Sequence, residues 1–191
     1  MKLLEERVLA EGIAENENVI RVDGFINHQV DPVLMDSIAK DFAEHFKNAG
    51  ITKVVTIESS GIAPALLTAK ELGVELIILK KQPSKVLYKD LYQTVVASFT
   101  KDTSYELTMS KGFLDENDHV LIIDDFLAYG EAAAGAIRLV RMAHATIAGV
   151  GILIEKTFQD GRQKVKECGA NVYSQVKIKK LKPGEIELDK N

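Results

Sequence analysis

The sequence predicts an α/β protein: an open, mostly parallel twisted sheet with helices on both faces. Strand-like and helix-like segments alternate along its 191 residues. The strand-like runs at 76–79, 120–123 and 147–154 are continuously apolar, and 54–57 is apolar but for Thr56, as expected of strands covered on both sides. The residues with most chemical potential stand just after these runs, where such sheets bind ligands.

The elements follow in order. Leu3, Leu4, Val8 and Leu9 have the spacing of a short amphipathic helix. A strand-like piece at 19–22 leads into an irregular segment at 24–29. Asp31-Pro32 reads as a helix N-cap with proline in the first turn. The helix it opens turns Leu34, Ile38, Phe42 and Phe46 inward and should stop at Gly50. Strand 54–57 ends in the turn Glu58-Ser59-Ser60-Gly61, which feeds a helix over 62–72, followed by strand 76–79. Residues 80–110 hold a lysine-rich loop and two alternating Thr/Val/Tyr-rich runs, the pattern of an antiparallel hairpin. Strand 120–123 runs into Asp124-Asp125, and a helix spans 130–143. A strand at 147–154, a helix at 161–168 and a strand at 172–178 complete the chain, which is predicted to be one domain over 1–191.

Composition excludes some function classes. A net charge of -4 argues against a nucleic-acid binder, which usually shows a basic face. No apolar run reaches the ~20 residues of a membrane span, and acids at Glu5 and Glu6 interrupt any signal-peptide pattern. The single cysteine, Cys168, excludes an internal disulfide and a Cys-rich metal site. A cytoplasmic location is expected. The four histidines are scattered without ligand spacing and receive no role.

Chemistry concentrates between residues 120 and 132. A buried strand leads to two adjacent acids, a tight loop and a helix start. Amides at a helix N-terminus bind phosphate, and Ala128, Gly130 and Ala132 are small enough to let one approach. The acids can accept hydrogen bonds from sugar hydroxyls. On shape alone, a structural strand-to-helix turn explains this segment about as well.

Four apolar residues, two acids and a small-residue loop also resemble the PRPP-binding motif of type I phosphoribosyltransferases. Residues 22–32, 56–64 and 154–158 extend the resemblance over nearly the whole chain, toward the bacterial xanthine-using branch of that family. The resemblance implies that Asp124 and Asp125 contact the ribose hydroxyls, and that Ala128, Tyr129, Gly130, Glu131 and Ala132 wrap the 5-phosphate. Tyr129 and Ala132 replace hydroxyl side chains common in this loop, so phosphate binding would rest more on the backbone. Glu131 must point away from the phosphate, because like charges repel.

The resemblance further implies that Ser59 and Ser60 bind pyrophosphate in a backbone nest. Some relatives have an arginine in this loop; here the positive charge must come from elsewhere. Lys80, Lys81 and Lys85 are available, and Lys81 is the lysine expected to bind it. Lys156 would donate to the purine 6-oxo group, favouring oxopurines over adenine. Asn27 and Ile20 would belong to a hood from the chain termini (residues 1–30 contributing) that covers the base. Phe158, or alternatively Phe126, would stack on it. Mg2+ is expected with PRPP, held through diphosphate and water with no residue assigned as a direct ligand. The substrates implied are PRPP and xanthine, the assembly a homodimer, with no nucleic acid or membrane partner. Two other readings stand beside this one: a hypoxanthine or guanine phosphoribosyltransferase, and a non-catalytic regulator that senses PRPP or a nucleotide.

Overall fold

A six-stranded sheet organises the protein in the computed structural model, which describes residues 1–81, 90–98 and 103–189. Its strands are β3 (Lys53–Ile57), β4 (Glu75–Leu79), β7 (His119–Leu127), β8 (Thr146–Lys156), β9 (Val172–Lys182) and β10 (Glu185–Leu188), in the order β10-β9-β8-β7-β3-β4. All neighbours are parallel except β10, which runs against β9.

Neighbouring residues of the central strands enter opposite cores, which is why these strands read as unbroken apolar runs. Val54, Leu121 and Ile123 pack against α1 (Lys2–Glu11), α2 (Pro32–Phe46) and α3 (Ile62–Leu72). Val55, Val120 and Ile122 pack against α4 (Glu131–Met142) and α5 (Gly161–Glu167). Each fully buried aliphatic side chain contributes about 1.5–3 kcal/mol relative to exposure. At the start of α2, the Asp31 carboxylate accepts from the amides of Val33 at 3.0 Å and Leu34 at 3.1 Å, the N-cap that the sequence announces.

The hairpin is present as β5 (Leu91–Ser98) and β6 (Thr103–Ser110). Arg138 of α4 straps it down by donating to Thr94 Oγ1 and to the Val95 carbonyl, each at 2.9 Å. Val96, Leu107 and Met109 fill the core beneath it.

Several boundaries differ from expectation. β7 continues through both acids to Leu127, because its backbone keeps pairing with β8 as far as Glu155; polar side chains do not interrupt a ladder made by main-chain groups. β9 runs on to Lys182 and turns into β10. Charged residues obscure that hairpin in the sequence, yet Lys179 pairs with Glu187 at 2.9 Å and Lys182 with Glu185 at 3.2 Å across it. The expected strand at 19–22 is the two-residue β2 (Ile20–Arg21), paired with an unanticipated β1 (Ile13–Ala14). One π-helical turn, Asp23–Asn27, replaces the irregular segment. The Gly184 amide donates to the Ala14 carbonyl at 2.9 Å, so the two ends of the chain meet.

Candidate active site

The carboxyl ends of β3, β7 and β8 bring the turn after Ile57, the run from Asp124 to Ala132 and Lys156 to one edge of the sheet. Asp124 is 8% exposed. Its Oδ1 accepts the Asp125 amide at 3.0 Å, and Asp125 Oδ1 accepts the Phe126 amide at 3.0 Å. Burial, then the charge of Asp125, hold the Asp124 carboxyl well above its ordinary range. Burial also raises Asp125. Two desolvated carboxylates side by side are costly unless a ligand supplies donors or positive charge.

The Lys81 ammonium partly offsets them, since its charge pulls both acids downward. Lys81 is placed by its own backbone: its amide donates to Glu58 Oε1 at 2.7 Å, while Lys80 Nζ lies 3.2 Å from Glu58 Oε2. The ammonium stands 5.6 Å from the centre of the Tyr105 ring. Lys85 lies outside the described residues.

Ser59 and Ser60 occupy the turn after β3, which contains a cis Glu58–Ser59 peptide. The turn presses on the acids: a Cβ at Gly61 would stand 3.2 Å from Asp124 Oδ1 and closer still to the Thr56 hydroxyl. Only a residue without a side chain fits there.

The loop from Ala128 to Ala132 rests on the start of α5. The Gly161 amide donates to the Ala128 carbonyl at 2.9 Å. Gly130 has φ +79°, and a Cβ on it would lie 2.8 Å from the Gly161 carbonyl oxygen. Gly130→Ala is therefore expected to lower the melting temperature. A left-handed alanine costs ~1–2 kcal/mol, and each kcal/mol is worth about 2–4 °C in a chain of this size. Thermal melts check this; an unchanged melting temperature would contradict it. The Glu131 carboxylate is paired with Lys164 of α5.

A cavity of about 180 Å³ lies over this loop, lined by residues 126–133 and by Ala97 and Tyr105 of the hairpin. Tyr105 is the residue that sequence reasoning missed. Burial, then the charges of Asp124 and Glu131, raise its phenol. Its only sequence signal is a place in an alternating run. A larger groove, about 840 Å³, runs along the β4 edge and holds neither the acids nor Lys156. The smaller cavity begins one residue past the acids, at Phe126, and is lined by Tyr105 and Glu131.

Lys156 ends β8 at this same edge. Its Nζ donates to the Asn18 carbonyl at 2.6 Å and stands 5.6 Å from the Phe126 ring centre. Burial lowers its pKa. Asn18, also unanticipated, thus brings the N-terminal segment over the site. Asn27 has a buried Oδ1 without a hydrogen-bond partner, an acceptor left for a ligand or water. Ile20 is 7% exposed and belongs to the core under the N-terminal helices. Phe158 is 39% exposed on the turn after β8, so Phe126 is the aromatic brought to Lys156. Among the described residues, no group of three or more His, Cys, Asp or Glu side chains is arranged to hold a metal, and no helix is long and apolar enough to cross a membrane.

With this geometry in place, comparison with known proteins adds the following. A family model described as phosphoribosyl transferase domain matches residues 31–190. The chain is 60% identical to a xanthine phosphoribosyltransferase of Agathobacter rectalis over 188 residues, 98% of each chain. It is 55% identical to xanthine phosphoribosyltransferase 1 of Clostridium botulinum over 190 residues, 100% of both. Among solved structures, the adenine phosphoribosyltransferase of Giardia lamblia in complex with 9-deazaadenine superposes with a TM-score of 0.72 at 25% identity, covering 83% of this chain and 86% of that one. The adenine phosphoribosyltransferase of Saccharomyces cerevisiae shares the fold, with a TM-score of 0.75 at 24% identity, covering 91% and 98%.

Proposed function

The chain belongs to the phosphoribosyl transferase family, and from that premise we propose that it transfers the 5-phosphoribosyl group of PRPP to xanthine, yielding xanthosine 5′-monophosphate and pyrophosphate. One observation carries the reading: a buried acid beside a half-buried one, a small-residue loop at a helix N-terminus and a lysine ending the next strand share one sheet edge. Relatives that match 97–100% of the chain at 52–60% identity bear the name of this activity.

A purine ring nitrogen displaces pyrophosphate from ribose C1 through a cation resembling that of glycoside cleavage. No covalent enzyme nucleophile is required. Asp124 and Asp125 hold the ribose hydroxyls and face the positive charge that develops on the sugar. Amides of the loop Ala128, Tyr129, Gly130, Glu131 and Ala132 grip the 5-phosphate. Ser59, Ser60 and Lys81 receive the diphosphate, and Lys81 closes over it to keep water from the activated sugar. Mg2+ fits a site whose two acids are crowded and desolvated; bound with PRPP, it would neutralise diphosphate charge and meet Asp124 and Asp125 through water.

At the base, Lys156 donates to the 6-oxo group and Asn27 meets the purine edge with its unpaired acceptor. Ile20 backs the hood from within, and Phe126 and Phe158 are the rings for the purine faces. An ammonium facing the 6-position opposes adenine, whose exocyclic amine is itself a donor. The reading includes a single domain spanning the chain, a cytoplasmic setting and a homodimer, for which the exposed Leu66 and Phe113 beside the β4 groove offer apolar area.

Incubating the protein with PRPP, Mg2+ and each purine in turn tests the proposal. Pyrophosphate release is expected with xanthine, more weakly with guanine or hypoxanthine, and least with adenine. Equal or greater release with guanine or hypoxanthine would move the assignment to that branch. PRPP binding without release for any base would make the protein a sensor.

A further inference from the structure

We propose that Lys164 is a positioning residue for PRPP binding: by pairing with Glu131, it keeps an acid inside the phosphate-facing loop from competing with the substrate's 5-phosphate. The inference rests on the proposed reading of that loop. Glu131 is the first residue of α4 and follows Gly130 directly. A carboxylate at this position is attracted to the same free amides and positive helix end that a phosphate needs. Glu131 also lines the cavity over the loop, and its charge reaches the Tyr105 phenol across it. Left to itself, the Glu131 carboxylate would occupy or repel the anion site.

Lys164 prevents this because α5 fixes where its ammonium is delivered. The Gly161 amide is bonded to the Ala128 carbonyl of the loop. One residue on, Arg162 grips Glu155, donating through Nε at 2.7 Å and Nη2 at 2.5 Å, and donates through Nη1 to the Val172 carbonyl at 3.0 Å. Glu155 is 2% exposed, and Ser174 Oγ also donates to it at 2.5 Å. The first turn of α5 is thereby clamped to β8, β9 and the loop. Lys164 sits one turn along, its amide bonded to the Asp160 carbonyl at 3.0 Å, and its ammonium donates to Glu131 Oε1. The pair spans 33 positions of sequence, so the loop's acid and its neutralising partner come from different elements.

Steady-state kinetics and ribose 5-phosphate calorimetry on Lys164→Gln, Glu131→Gln, the double variant and Lys164→Arg test the idea. Lys164→Gln should raise KM for PRPP roughly tenfold and weaken ribose 5-phosphate in parallel. Both kcat and KM for xanthine should stay within about twofold. Adding Glu131→Gln should restore PRPP binding, and Lys164→Arg should behave as wild type. Glu131→Gln alone keeps the loop amide and removes the competing charge, so it should tighten PRPP binding, which keeps the test open if Lys164→Gln fails to fold. An unaffected KM for PRPP in Lys164→Gln overturns the inference. So does a double variant as impaired as the single one, or a tenfold loss in Glu131→Gln. Wild-type turnover is measured first: its absence defeats the reading of the site, whereas normal turnover with an indifferent Lys164→Gln defeats only the positioning role.

Discussion

Replacing Asp124 and Asp125 together by asparagine is expected to lower turnover by about 10³-fold or more, the scale seen when preorganised contacts to developing charge are removed. Asparagine keeps the shape of each side chain and one acceptor oxygen, so ribose can still dock. What disappears is the negative charge facing the sugar cation. The fold should survive, and the single change Asp124→Asn should melt higher than wild type at neutral pH. The reason is linkage. Burial raises the folded-state pKa of Asp124 above its unfolded value, so the stability this group contributes is present at low pH. It is lost as pH rises from the ordinary carboxylate range through the raised value. An amide removes that loss, along with the repulsion from Asp125. Melting curves from acid to neutral pH, run beside pyrophosphate-release assays, read both effects. Near-normal rates in the double variant, or a lower melting temperature for Asp124→Asn at neutral pH, would contradict the assignment.

Lys156→Ala is expected to raise KM for xanthine strongly while KM for PRPP stays within about twofold. Losing the donor leaves a buried carbonyl of the base unpaired, at ~1–3 kcal/mol, or roughly 5- to 150-fold in affinity. The same change removes the 2.6 Å bond to the Asn18 carbonyl, so the N-terminal cover should also open more readily. Hydrogen exchange at residues 16–22 would rise in the variant. Xanthine and PRPP titrations separate the two ligands; an equal loss of both would make Lys156 a structural residue instead.

Much of this architecture was legible from local patterns. Continuous apolar runs such as 120–123 identify strands buried on both faces, and Asp31-Pro32 marks the start of α2 by cap chemistry alone. The acids, the loop after them and Lys156 were legible because a parallel sheet places its ligand edge at predictable strand ends. Where tertiary contacts decide, the local signal fails. Tyr105 looks like any residue of an alternating hairpin. It reaches the site because Arg138 and Val96 dock that hairpin on the helix whose N-terminus forms the loop. Asn18 reads as a turn residue until its carbonyl meets Lys156. The balance between Phe126 and Phe158 turns on the extension of β7 past the acids, a matter of backbone pairing that side-chain polarity conceals.

The most direct measurement is a crystal structure with Mg2+ and PRPP, or with xanthosine 5′-monophosphate. The account predicts the 5-phosphate on the amides of residues 128–132, the ribose hydroxyls on Asp124 and Asp125, and the 6-oxo group of the base at Lys156. A phosphate bound elsewhere, with both carboxylates out of reach of any pentose, would contradict it.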